Sequence, residues 1–497
     1  MTDRPPAARI IDGVVYDAEA VARRLRAEAA AELERAQAEA ARLRADVAVE
    51  VERAQRRVEA ARTEAARLRA DAGLPAGDGQ VTEVVGLLVR ARCTGAALGE
   101  VVTIERGGHD AGPPPAPLAA EVVGFRGDDV LLMPMGDLAG LAPGAAVIAT
   151  GAPLAFVAGP ALLGRVLDGL GRPLDGEAIA GEAWPVTRPA PLARSRPPIS
   201  QALVTGVRAI DGLLTLGLGQ RVGLFAAAGV GKSTLLTQLA RTADADVIVL
   251  GLVGERGREL GDWLAALGPA AARTVVVCAP SDAPSLVRVR AAEVATAVAE
   301  YFRDRQGARV LLLVDSLTRV ARAQREVGLA AGEPPARHGY PPSVFALLPR
   351  LVERAGTAPR GSITAVYAVL VAGGDLDEPI ADEVRGLLDG HIVLDRRLAG
   401  RGHFPPIDVV ASVSRVFERL STAEQRAAAI QIRRWLALHD ERRDLIAVGA
   451  YKPGADRALD EAVARQPAIE DFLRQASDAT SDAVTTVARL AALARPR

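Results

Sequence analysis

Aromatic side chains are scarce in this chain, 3% of 497 residues, which leaves few platforms on which nucleic-acid bases could stack. Net charge is scarce too. The 60 basic and 61 acidic residues leave a formal charge of -1, a balance that counts against a protein whose task is to coat a polyanion. Cysteine occurs twice, as Cys93 and Cys278 in unrelated contexts. That excludes a disulfide framework or a CxxC pair, and a reducing compartment is expected. The histidines His109, His338, His391, His403 and His439 show no spacing of the HExxH kind, so ordinary polar roles are expected of them rather than metal ligation. No apolar run approaches the roughly 20 residues of a membrane span, and the opening MTDRPP lacks the apolar stretch of a signal peptide. The expected location is the cytoplasm.

What is present divides the chain into zones. A hydrophobic share of 49% and a charged share of 24% describe a soluble protein, and the length calls for several domains. Glycine and proline are absent from 14–72, where Ala, Arg and Glu dominate. Such chemistry predicts a long helix, on the order of 85 Å at about 1.5 Å per residue. Its apolar residues (Val21, Leu25, Leu33, Leu43, Val47, Val51, Val58, Leu68) form a loose stripe without strict heptads. Packing against a partner helix and a solvated, charge-laced face both remain open. We therefore assign 1–76 as a helical extension. Residues 77–158 hold short β-rich runs separated by Gly and Pro, which predicts a small antiparallel barrel, with the AGPPPAP segment at 111–117 as an exposed turn. Residues 159–420 alternate apolar strands with helical stretches, the pattern of a parallel sheet with crossover helices. Residues 421–497 are mostly helical.

The sharpest chemical signal is AAAGVGKST at 226–234, which follows the apolar run VGLF at 222–225 and leads into a helical stretch. A strand, a loop of small residues and Gly-Lys-Ser at a helix start make a phosphate cradle, because small residues let backbone N–H groups approach the phosphates. Ala228, Gly229, Val230, Gly231, Lys232, Ser233 and Thr234 are the candidate nucleotide contacts. Lys232 reaches the phosphates and Ser233 offers a hydroxyl to Mg²⁺. Ala226 stands where the pattern usually has glycine, which is tolerable if its backbone keeps an ordinary L conformation. The buried strand VLLLVD at 310–315 ends in Asp315, a second candidate for the metal. VIVLGLVG at 247–254 is followed by Glu255, which is either a base for the attacking water or a solvated turn acid.

Further blocks, GERGREL at 254–260, VDSLTRVARA at 314–323, GYPPSVF at 339–345, ADEVRGLLDGH at 381–391, GHFPPID at 402–408 and SVSRV at 412–416, resemble the rotary-ATPase-like hexameric group. Within it they look like the ATPases of type III protein secretion, injectisome and flagellar alike. GRVLDGLGRPLDG at 164–176 and TGVRAIDGL at 205–213 extend the likeness over about 80–497, and the alanine-rich phosphate loop favours the injectisome branch.

The resemblance implies an α/β fold with a RecA-like P-loop core and parallel sheet, preceded by the barrel and long helix and followed by a helical domain. It implies ATP with Mg²⁺, and Glu255 as the catalytic glutamate that marks an active enzyme. Arg256 would stand near the phosphates, Glu259 would touch a water on the metal, and Arg319 would face the phosphates. Arg415 would be an arginine finger lent to a neighbouring copy, with an intrachain salt bridge as the alternative. Phe404 and Tyr451 would stack on adenine, with core packing as the alternative for each. It further implies a homohexamer with stator, central-stalk, chaperone and substrate partners, no nucleic acid, and a place at the cytoplasmic face of the inner membrane. The start of the chain, IIDGVVYDAEA at 10–20 with the helix-forming run behind it, is similar to the stator protein that such ATPases bind, which suggests a fused arm. Three alternatives stay open: an ATP-synthase-type catalytic subunit, an RNA-translocating hexamer and an inert coiled-coil scaffold. The first would need a non-catalytic partner, whereas this chain carries both Glu255 and Arg415.

Overall fold

The computed structural model describes residues 9–11, 14–16, 27, 31, 35, 79–107 and 116–495. The chain divides into two units, Met1–Ala76 and Gly77–Arg497. In the first, β1 (Arg9–Ile11) pairs antiparallel with β2 (Val14–Tyr16). Asp-Gly lies between β-branched residues there, the sequence signal of a two-residue hairpin. The glycine-free stretch therefore begins as a strand and not as the expected helix. Ala27, Ala31 and Arg35 are helical. The rest of the expected helix, and the proposed turn at 111–117 up to residue 115, lie outside the described residues.

The second unit opens with a closed barrel of β3 (Gly79–Val85), β4 (Leu88–Cys93), β5 (Glu100–Ile104), β6 (Leu118–Arg126), β7 (Asp129–Pro134) and β8 (Ala146–Pro153), in the order β3-β4-β7-β6-β5-β8. Period-two alternation turns Val102 and Ile104 inward with Val89, Ala91, Ala120, Val122 and Leu132. Strand β4, LVRARC, escapes a hydrophobic scan because arginines occupy alternate positions.

Next, β9 (Ala155–Ala158) pairs with β11 (Glu182–Pro185), and β12 (Ala202–Leu203) with β13 (Leu216–Gly217). The nine-stranded sheet comprises β10 (Val166–Asp168), β14 (Arg221–Ala226), β15 (Val247–Val253), β16 (Thr274–Ala279), β17 (Arg309–Asp315), β18 (Gly356–Thr357), β19 (Ser362–Leu370), β20 (Gly390–Leu394) and β21 (Ile407–Ser414). Its order is β10-β16-β15-β17-β19-β14-β20-β21, with β18 on β19, and only β18 and β21 run antiparallel. Both faces are covered, so β15 and β16 are buried at every position and read as unbroken apolar runs. One face carries the Ser285–Gln306 helix, whose alanines let it lie close to the sheet. The Lys232–Thr242 helix and the C-terminal helices Ala423–Ala447, Arg457–Leu473 and Ala483–Ala494 share the other core through Leu239, Ile432, Trp435, Phe472 and Leu490. Among the described residues no helix is long and apolar enough to cross a membrane.

A buried ion triad ties barrel to sheet. Arg290 of the Ser285–Gln306 helix donates its Nε to Glu121 of β6 at 2.8 Å and also pairs with Glu293. Glu121 and Glu293 are 4% and 8% exposed, so removing the arginine strands two carboxylates. Arg290→Met is expected to destabilise the protein by about 3–5 kcal/mol in urea unfolding, the usual cost of breaking a buried pair from one side.

Candidate active site

The site is built at the carboxyl ends of β14, β15 and β17, where open parallel sheets bind ligands. Ala226 is the last residue of β14, in register with Leu370 of β19 and Leu394 of β20. Extended backbone suits alanine, so the departure from glycine costs nothing at that position. The chain turns sharply only later, at Gly229 (φ 79°) and Gly231 (φ 103°). A Cβ on Gly229 would meet no atom within 4 Å, so its dihedral angle, not lack of space, demands glycine. Gly231 is the cap of the Lys232–Thr242 helix and supplies no side-chain hydrogen bond, nor does any acid stand in the first turn. The first N–H groups of that helix are left for an anion.

Below the loop, Lys232 pairs with the Asp315 carboxylate and lies 3.8 Å from Glu255 Oε1. Asp315 is fully buried at the end of β17. Its second oxygen, Oδ2, and the neighbouring Ser316 hydroxyl are buried without a hydrogen-bond partner. Glu255 follows β15 and is 8% exposed. Burial first, and then the charge of Asp315, push its carboxyl up to about 7 against the pull of Lys232 and Arg319. An acid that gives up its proton near neutrality is suited to accept one from water.

Arg319 donates Nη2 to Glu255 Oε2 at 3.0 Å and Nη1 to the Gly254 carbonyl. Its physical attraction is the half-compensated carboxylate beside it, and its effect is to orient Glu255. Arg256 is exposed, and its carbonyl accepts the Glu259 N–H at 2.9 Å. Glu259 opens the Glu259–Leu267 helix. With Ser233, Thr234, Arg258 and Asp262 it lines a cavity of about 460 Å³ beside the phosphate loop. Val230 is buried, whereas Ala228 and Gly229 are exposed, and Arg396 reaches the Ala228 carbonyl at 3.4 Å.

Phe404 is 51% exposed. Two residues on, the Pro406 ring lies 4.0 Å from where a Cβ on Gly231 would stand, so an exposed aromatic borders the phosphate loop. The Tyr451 hydroxyl bonds Asp460 at 2.6 Å and the Asp456 carbonyl at 3.1 Å, in the turn before the Arg457–Leu473 helix. Arg415 is exposed just past β21. Its N–H bonds the Asp389 carbonyl, and the Asp389 N–H bonds that of Arg221, the first residue of β14. Arg415 is thus level with the start of the strand whose far end carries the loop, about 17 Å away at roughly 3.3 Å per residue. A guanidinium cannot span that distance to its own loop.

Sequence reasoning passed over Ser316, Arg396 and Thr318, whose hydroxyl accepts the Leu370 N–H at 2.8 Å and so fixes the start of the Leu317–Ala330 helix against β19. The run DSLT after an apolar strand was a signal for the Ser and Thr; nothing local pointed to Arg396.

Fold and site together define a P-loop ATPase of the ATP synthase kind. Residues 206–414 match the nucleotide-binding domain of the ATP synthase alpha/beta family, 81–151 its beta-barrel domain, and 421–492 the T3SS EscN ATPase C-terminal domain. The chain is 52% identical over 408 residues to the type 3 secretion system ATPase of Xanthomonas euvesicatoria, covering 81% of this chain and 91% of that one. It is 47% identical to the flagellum-specific ATP synthase of Bacillus subtilis, covering 84% and 94%. The solved structure of the assembled ATPase EscN from the enteropathogenic E. coli type III secretion system superposes with a TM-score of 0.79 at 43% identity, over 84% of this chain and all of that one. The chain belongs to the family of type 3 secretion and flagellum-specific ATPases.

The Glu255 carboxyl keeps its proton to about pH 7 when folded, against an ordinary value of 4.5. The folded state therefore binds the extra proton between those values, and the protein loses stability as pH rises across that window. Glu255→Gln, which cannot ionise, is expected to raise Tm over the parent at about pH 8 and to give no gain near pH 4. A gain that grew on acidification would contradict this placement of the carboxyl.

Proposed function

We propose that this chain hydrolyses MgATP in a homohexameric ring and uses the turnover to drive protein export through a type III secretion apparatus, releasing substrates from chaperones and unfolding them. The observation that carries the reading is the meeting of Lys232, at the start of its helix, with Glu255 and Asp315, which follow and end the adjacent strands β15 and β17. The residues present fit a magnesium ion: one Asp315 oxygen is buried without a partner, and the Ser233 hydroxyl is exposed at the loop. Ser233 and Asp315 would hold it, with Glu259 near a bound water. When bound, the ion supplies positive charge to the phosphate oxygens.

The chain's own groups account for the other steps. Loop N–H groups and Lys232 bind the triphosphate, and Lys232 leaves its carboxylate partner to do so. Glu255, held by Arg319, takes the proton of the attacking water. Arg415 of one copy stabilises the transition-state charge in the next, since it lies too far from its own loop. Phe404 stacks on adenine, and Arg256 stands at the mouth of the site.

The EscN ATPase has also been solved in complex with its central stalk EscO, and this chain superposes on that form with a TM-score of 0.77. A central stalk, a stator, chaperones and the cytoplasmic face of the inner membrane are the partners we propose here. A flagellar assignment is the second reading, because the Salmonella flagellum-specific and SPI-2 enzymes are each 50% identical to the chain. The family matches begin at residue 81. We propose the segment before it as a fused stator-like arm, and deleting 1–76 is expected to abolish recruitment to the secretion base while leaving ATP hydrolysis in place.

Lys232→Ala is expected to remove turnover. Arg415→Ala and Glu255→Gln should each lower kcat by about 10³-fold. Mixed in equal amounts they should recover about a quarter of the parental rate, because one protomer brings the glutamate and its neighbour the arginine. Mixtures that stayed as inactive as either variant alone would refute the shared site.

A further inference from the structure

The segment after the Arg457–Leu473 helix holds a glutamine that the mechanism above does not use. Gln475 is 5% exposed and its whole side-chain amide is engaged. Its side-chain oxygen accepts the Arg208 N–H at 2.9 Å. Its Nε2 donates to the carbonyls of Gly206 at 2.7 Å and Ala479 at 2.9 Å. Its backbone N–H donates to the Phe404 carbonyl at 2.8 Å. Two further side chains of the nucleotide domain grip the same segment. Gln238 of the phosphate-loop helix reaches the Ala479 carbonyl at 3.2 Å, and the Arg208 guanidinium holds the Phe472 carbonyl at 2.8 Å. The floor of this arrangement is the TGVRAID turn, where Asp211 accepts the N–H groups of Thr205 and Gly206, each at 2.9 Å.

We infer that Gln475 is a positioning residue for base recognition: it pins the backbone of Phe404 to the Gly206–Arg208 turn and so sets where that aromatic face stands relative to the phosphate loop. The inference rests on Phe404 stacking the base. Three backbone anchor points meet in one amide, and the fourth bond passes the constraint to the backbone of a half-exposed ring. A buried, fully satisfied side chain resists displacement, because moving it leaves polar groups unpaired. ATP affinity therefore depends on the C-terminal segment. A movement of the C-terminal helices would alter nucleotide affinity through the same link.

The test is binding of a fluorescent ATP analogue to the full chain, with inorganic tripolyphosphate as the base-free competitor. Phe404→Ala is expected to weaken the analogue by about tenfold or more, the scale of one aromatic–base stack, and to leave tripolyphosphate unchanged. Gln475→Ala should weaken the analogue about five- to tenfold with the same indifference to tripolyphosphate, add nothing in the Phe404→Ala background, and raise KM rather than lower kcat. Gln475→Glu keeps the acceptor for Arg208 and loses both donated bonds. It should act in the same direction and serves if the alanine variant does not fold. If Phe404→Ala leaves the analogue bound as before, the stacking reading fails and the inference with it. If Phe404→Ala weakens binding and neither Gln475 variant does, or if they weaken tripolyphosphate equally, the inference alone is overturned.

Discussion

One buried cation makes this site possible. Two carboxylates, on Glu255 and Asp315, stand within reach of each other at the ends of strands whose every neighbour is apolar, and each would be costly to bury charged and alone. Lys232 lies between them. The cation bonds Asp315 directly and stands 3.8 Å from Glu255, whose carboxyl is pushed up to about 7 by burial first and then by the Asp315 charge. Arg319 then orients the second. The loop, the strand order and the double-sided burial of the sheet all serve to keep that lysine where water cannot shield it.

The sheet topology explains how residues far apart in sequence reach this place. β14 is flanked by β19 and β20, and β17 lies between β15 and β19, so the loop, Asp315 and Glu255 arrive at one edge of the sheet. The C-terminal helices pack on the core that contains the phosphate-loop helix, and the barrel is fastened to the opposite face through Arg290. Rigid strands carry the chemistry, while the joints to the other domains are polar and specific.

Much of this was legible in the chain. The phosphate loop, Asp315 and Glu255 announce themselves because each follows an apolar run long enough to be a buried strand. The barrel could be read from alternation in all but the arginine-bearing β4. What was hidden depends on tertiary geometry. The resemblance set Arg319 beside the phosphates, but its bond to Glu255 is one that no spacing reveals. The bonds of the Tyr451 hydroxyl within the turn around Asp456 and Asp460 were likewise not readable from spacing. Composition alone read the first residues of the long charged stretch as helix, where β-branched residues around Asp-Gly make a hairpin.

The placement of Arg415 at the wrong end of its own strand has a genetic consequence. In the shared site proposed above, a copy that lacks this arginine would keep a sound pocket and spoil the one next door, so the defect would be felt by a molecule that does not carry it. In a cell with both alleles such a lesion should behave as dominant, whereas loss of the whole gene product should be recessive.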